Sequence, residues 1–168
     1  VNLKEEIETV HKQAEQTDTS KKLISGKISE QEYIKYLAAK LLLANIIEQR
    51  LELHPDTKRY HKILKDIRCV NQQFSADLYT NEAIAYSQYV NSLPDNLVKA
   101  HLYVNYLGDM YGGQYISKKL KFPCSHLQFD SLQVSIAEAR SHITEEQWFA
   151  DEAKKAFEWV IKVYDSIQ

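Results

Sequence analysis

Glycine and proline are scarce in this chain, with four of the first and three of the second in 168 residues. A sandwich or barrel turns about every 8–12 residues and draws on both types, whereas long helices need few. The expected fold class is therefore all-α. Apolar spacing agrees, since Leu3, Ile7, Val10 and Ala14 recur at intervals of four, three and four, which is one helical face. Gly26 breaks the chain, and Ser29-Glu30-Gln31-Glu32 predicts a capping box opening a helix that runs to His54-Pro55. Further helices are predicted from about Asp56 to Asp77, from Asn81 to Leu93, and from Asp95, as a cap, through to Leu120. Ser131–Ser141 and a last helix over Thr144–Ile167, opened by acidic Glu145-Glu146, complete the set.

Composition narrows the function classes. Hydrophobic residues make up 44% and charged residues 26%, which supports a packed core and excludes disorder. Against 23 acidic residues stand 21 Lys and Arg, so the basic surplus that phosphate neutralisation needs is missing and no nucleic-acid partner is expected. No stretch approaches the roughly 20 apolar residues of a membrane span, and no membrane anchor is expected. Val1-Asn2-Leu3-Lys4-Glu5-Glu6 does not read as a signal or transit peptide, although a removed organelle presequence stays open. Cys69 and Cys124 are too few for a disulfide scaffold, which places the chain in a reducing compartment, read as cytoplasmic. With no linker, repeat or low-complexity segment, residues 1–168 are expected to form one domain.

The exception to this thrift is local. Gly108, Gly112 and Gly113 fall within six residues, in the middle of a stretch that otherwise reads as helix. Three helical glycines cost roughly 2–3 kcal/mol relative to alanine. Glycine lets a helix bend and lets another body approach its bare backbone, and a flat ligand lying on the helix would use both. Tight helix–helix packing is the other use, at about even odds on the glycines alone. Asp109, an ionisable residue inside the same kink, favours the ligand.

A second feature lies in the first helix. His11 and Glu15 are four apart and share a face. A metal-ligating imidazole usually gives its other ring N–H to a carboxylate or carbonyl, an arrangement this pair suits, though a plain surface pair is commoner. Ile7 and Lys4 extend that face into an apolar stripe with a cationic end, which suits an amphipathic ligand and equally any helix on a core.

Together the two regions resemble the heme oxygenase family. Ala100-His101-Leu102-Tyr103-Val104-Asn105-Tyr106-Leu107-Gly108-Asp109-Met110-Tyr111-Gly112-Gly113-Gln114 is similar to the family's distal-helix signature, and Val10-His11-Lys12-Gln13-Ala14-Glu15 to its proximal-helix motif. Gly26, Tyr33 and Asp151–Phe157 fall in the expected order. The resemblance implies a multi-helix domain with heme between the first helix and the glycine-kinked distal helix. It implies His11 as the iron ligand and Glu15 as its partner. Gly108, Gly112 and Gly113 would bring backbone onto the porphyrin, and Asp109 would order the water that supplies a proton. Lys4, Tyr103 and Arg140 would meet the propionates, with Ile7, Leu37 and Phe157 as pocket wall. The implied reaction opens heme, at once cofactor and substrate, with O2 and external electrons to biliverdin, CO and ferrous iron. An electron donor such as ferredoxin or a flavin reductase follows, and a monomer is expected; Lys21-Lys22 and Lys118-Lys119 with Lys121 are either solvated faces or a docking surface for an acidic donor.

Departures from the family pattern cluster distally. Tyr111 stands for a serine, Asn105 for an arginine, Ala44 for a tyrosine, Val160 for an asparagine and Ile136 for a lysine, while Tyr89 keeps a network tyrosine. They motivate a second reading as a heme-binding or storage protein without turnover. A thiamin-degrading-type enzyme would need a pocket cysteine, and Cys69 and Cys124 lie outside both motifs. A di-iron bundle needs two Glu-x-x-His motifs, and the chain carries one, Glu8-Thr9-Val10-His11. His101, seven residues before Gly108 and on roughly its helix face, is a rival ligand, and His54, His61, His126 and His142 are expected at the surface.

Overall fold

The computed structural model describes residues 1–71 and 73–168. Among the described residues there are nine α-helices and no strand. They are α1 (Leu3–Glu15), α2 (Asp18–Ser25), α3 (Glu30–Arg50), α4 (Tyr60–Val70), α5 (Asn81–Asn91), α6 (Asp95–Tyr111), α7 (Gly113–Lys119), α8 (Leu132–Ser141) and α9 (Gln147–Asp165). Short 3₁₀ turns at Ala76–Leu78 and Ser125–Leu127 punctuate the loops.

α3 is the central helix, apolar on most sides. Tyr33, Ile34, Leu37, Ala38 and Ile47 are all essentially inaccessible, as expected where neighbours cover a helix all round. Its start is fixed by the predicted capping box: the Ser29 hydroxyl accepts from Glu32 N–H, and the Glu32 carboxylate accepts from Ser29 N–H. α9 is the second organiser. Ala150, Ala153 and Ala156 are fully buried against Ala100 of α6 and the stripe Leu3, Ile7 and Ala14 of α1, and such small side chains let the three helices approach closely. α1 and α6 are thereby held on the same support.

Several predicted boundaries are corrected. The chain turns at Thr17, ahead of the break expected at Gly26, and the Thr17 hydroxyl caps α2 by accepting from Ser20 N–H. The helix expected over 56–77 is confined to 60–70, because buried Arg59 donates to the carbonyls of Asp56, Thr57, His126 and Gln128 and fixes the preceding loop. Asp95 pairs with Arg50 instead of capping α6. Glu145 lies ahead of α9 and serves α1, its carboxylate accepting from Leu3 N–H at 2.9 Å. The stretch expected as one kinked helix to Leu120 is two helices, α6 and α7, divided at Gly112.

Candidate functional site

Ile7 and Val104 belong to one apolar cluster with Phe157. His11 lies one turn beyond Ile7 on α1, and Gly108 one turn beyond Val104 on α6. The His11 ring stacks on Phe157 with centroids 5.1 Å apart, and its Nε2 lies 2.8 Å from Glu15 Oε1. Glu15 engages one ring nitrogen and leaves the second for another partner, and a half-turn of the ring exchanges the two edges. The imidazole is 52% exposed, so it is reachable from solvent.

The three distal glycines separate by role. A Cβ built on Gly108 meets nothing within 4 Å, and Gly108 is exposed. At Gly112 the helix breaks, and a Cβ there would press on the Gly108 carbonyl at 3.1 Å. Gly113 is buried against Leu127, whose Cδ2 would lie 2.9 Å from an added Cβ. Its bareness therefore serves packing, the rival use of the motif, and not approach to a ligand. Leu37, expected at the pocket wall, is fully buried in the central core. Gly26, the one residue with positive φ among those described, seats the end of α2 on the backbone of Lys119, where a Cβ would collide with the carbonyl.

Around the other end of α1, Leu3 is tied to Glu145, and the half-buried Tyr103 phenol feels both Glu145 and Arg140. Burial pushes that phenol's pKa up, and Arg140 partly opposes the shift. Exposed Lys4 sits in the same first turn of α1. Arg140 donates from Nε and Nη2 to the Tyr111 hydroxyl at 3.0 and 2.8 Å. The serine-to-tyrosine departure thus gives Arg140 a partner of its own.

Behind Gly108, Asp109 turns toward α3, where Lys40 Nζ lies 2.6 Å from its Oδ2. Sequence reading missed Lys40. A lysine inside the apolar run Leu37–Ala44, one turn before the residue that replaces the family tyrosine, was the available signal. Asn105, in place of the arginine, donates to the Tyr86 hydroxyl at 3.0 Å.

Two further histidines are scaffold. His101 is fully buried, its Nε2 2.8 Å from Glu152 and its Nδ1 2.7 Å from the Tyr86 hydroxyl. Burial pushes the Glu152 carboxyl up, but hydrogen bonds from His101 and Tyr89 outweigh it and hold the pKa below its ordinary value. His126, expected at the surface, is fully buried instead. Its Nδ1 lies 2.8 Å from Asp66 and its Nε2 3.2 Å from the Tyr36 hydroxyl, and desolvation lowers its pKa. The burial of its neighbours Asp66 and Tyr36 explains why a histidine in a polar loop turns inward.

The same helical arrangement occurs in solved heme oxygenases. That of Leptospira interrogans superposes with a TM-score of 0.83 at 20% identity, covering 97% of this chain and 96% of that one. The cyanobacterium Synechocystis supplies two more: heme oxygenase-1 in complex with heme, at 0.81 and 19% identity over 99% of this chain and 90% of its own, and heme oxygenase-2 with heme and NO, at 0.82 and 21% over 98% and 83%. The fold is thus of the heme oxygenase type. Residues 1–133 match the heme oxygenase family model, and the chain belongs to that family. Heme oxygenase 1 of Gallus gallus is 27% identical over 206 residues, an alignment spanning 99% of this chain and 68% of that protein. Among the described residues no helix is long and apolar enough to cross a membrane.

Proposed function

We propose that the chain binds heme between α1 and α6 and opens the ring to biliverdin, CO and ferrous iron. What supports this reading is a carboxylate-paired, solvent-accessible imidazole on α1 and a bare, unobstructed Gly108 on α6, on two helices that share the support of α9. A planar macrocycle needs one side able to ligate its metal and one side without side chains, and His11 and Gly108 supply them. Bound heme would furnish both the oxygen-activating iron and the carbon that is oxidised.

The chain's own residues do the rest. His11 would hold the iron, while Glu15 would fix the ring's orientation and strengthen the ligand. Gly108 admits the macrocycle and Gly112 ends the helix that lies over it. Ile7, one turn before His11, and Phe157, stacked on His11, supply apolar support. Lys4, Tyr103 and Arg140 lie where charged and hydroxyl groups would meet carboxylates. Asp109, on the face of α6 turned toward α3, orders the water that hands over a proton.

The test is reconstitution with heme, followed by ascorbate or by ferredoxin with its reductase. Decay of the Soret band with growth of a biliverdin band is expected. A stable Soret band would favour the second reading, a heme-binding protein without turnover, to which the Arg140–Tyr111 bond lends support. Lys118 and Lys119, in the last turn of α7, are the proposed docking face for the donor. Reversing both to Glu slows donor-supported turnover and leaves ascorbate-supported turnover alone; equal rates with both donors would remove the docking face.

A further inference from the structure

Lys40 is out of keeping with its surroundings. It interrupts the apolar run of α3, its side chain is 15% exposed, and the Asp109 side chain it meets is 18% exposed. Desolvating two charges offsets much of what their attraction returns, and an apolar residue at position 40 would pack without that cost. The pair is therefore not explained by stability. Lys40 Nζ also sits 5.2 Å from the Tyr36 ring centroid, a second contact that confines it.

Two small cavities flank the pair. One, of about 30 Å³, is walled by Tyr36, Lys40, Tyr86 and Asn105 among others. The other, of about 20 Å³, is walled by Lys40, Arg59, Asn105 and Asp109 among others. Each is lined mainly by apolar surface, with polar groups of Lys40 and Asn105 among its walls, and has room for a water molecule, which needs roughly 10–15 Å³. The second exists beside Ala44, where the tyrosine of the family pattern would bring its bulk. A charged arm from one turn earlier thus enters the space that the smaller side chain leaves.

We infer that Lys40 is the positioning residue for Asp109. Its ammonium takes Oδ2 in a charge-assisted hydrogen bond, fixes the carboxylate plane, and leaves Oδ1 to hold a water. Asn105, bonded to Tyr86, forms the shared wall of both cavities and continues the polar path away from Asp109. The distal network of this chain is thereby rebuilt around a lysine. This inference rests on the proposed role of Asp109 in heme opening.

Lys40→Met, Lys40→Arg and Asp109→Asn test it. In the ferric heme complex, Lys40→Met leaves the Asp109 charge uncompensated, which raises the midpoint of the alkaline Soret transition by on the order of one pH unit. Lys40→Arg restores it, and Asp109→Asn moves it down. Heme affinity stays within about threefold for Lys40→Met while biliverdin yield falls about 10–100-fold, the usual cost of losing an orienting partner. A wild-type midpoint together with a wild-type yield in Lys40→Met would overturn the inference. So would additive effects of Lys40→Met and Asp109→Asn on urea unfolding of the heme-free protein. Should Lys40→Met not fold, Lys40→Gln, which keeps a donor without the charge, is read by the same measurements. If the wild-type complex yields no biliverdin, the functional reading fails by itself, and the midpoint and the unfolding cycle still decide the role of Lys40.

Discussion

Two histidine–glutamate pairs in this molecule have the same chemistry and the same 2.8 Å separation, yet opposite surroundings. His11 and Glu15 are 52% and 58% exposed, whereas His101 and Glu152 are 0% and 5% exposed. In the buried pair the Glu152 Oε2 accepts from Tyr89 as well, and both ring nitrogens of His101 are engaged. In the exposed pair Glu15 engages one nitrogen. A ligand needs an uncommitted atom and access, so the pair that contributes least to stability is the one fit for binding.

The largest expected effect breaks that contrast on the binding side. Losing an outer partner of a metal ligand typically costs about 10–100-fold in affinity, which is the expectation for Glu15→Ala, and His11→Ala should cost at least that much. Heme titration followed by the Soret band measures both, with a changed ferric spectrum expected in His11→Ala. Unaltered spectra would move the iron ligand elsewhere. The stability of the heme-free protein should hardly respond to Glu15→Ala, by less than about 0.5 kcal/mol, because the pair is exposed.

On the scaffold side the order reverses. Asp66 accepts from the His126 ring, the His126 and Ser125 N–H groups and the Ser125 hydroxyl. Asp66→Ala strands all of them in the interior and should cost about 3–5 kcal/mol, a fall in Tm of roughly 10 °C or more by thermal denaturation. The same groups set the acid limit. Burial pushes Asp66 up, but its hydrogen bonds outweigh that and hold its pKa below the ordinary value, as they do for Glu152. The contribution of these two carboxylates is complete above about pH 4 and is lost as pH falls through their lower native values. His126, held down by burial, resists a proton that the unfolded chain accepts, so stability begins to decline already below about pH 6.5. A Tm that is flat between pH 7 and 5 would contradict this account of His126.

How much of this was legible in the sequence follows the same division between open and buried. Ser29 to Glu32, the stripe Leu3–Ile7–Ala14 and the glycine cluster are local patterns, and local patterns specify helices, caps and kinks. The family resemblance at 100–114 and 10–15 implies that α1 and α6 work together, and α9 does bring them to one support. What stayed hidden depends on contacts far apart in the chain. His126 meets Asp66 across 60 residues, Lys40 meets Asp109 across 69, and Glu145 caps α1 across 142. No spacing rule reaches those distances. The expectation that all three glycines serve one ligand failed for the same reason, since Leu127, the neighbour of Gly113, lies beyond the motif.

Gly113→Ala is accordingly the next smaller effect. Its Cβ would press on Leu127, and overpacking of this kind costs about 1–3 kcal/mol in urea or thermal unfolding, with heme affinity altered only through stability.

The smallest effect is the sharpest. Gly108 is helical, exposed and unobstructed, so Gly108→Ala relieves the backbone entropy that glycine imposes and should stabilise the heme-free protein by about 0.5–1 kcal/mol. The same methyl group projects into the open space where the macrocycle is proposed to lie, and heme affinity should fall. A single substitution would then raise Tm without heme and lower the gain in Tm on adding heme. Paired melting curves read the two effects separately. If Gly108→Ala raised both, the bare turn would be an imperfection of the helix, and His11 would have to accept its ligand from another direction.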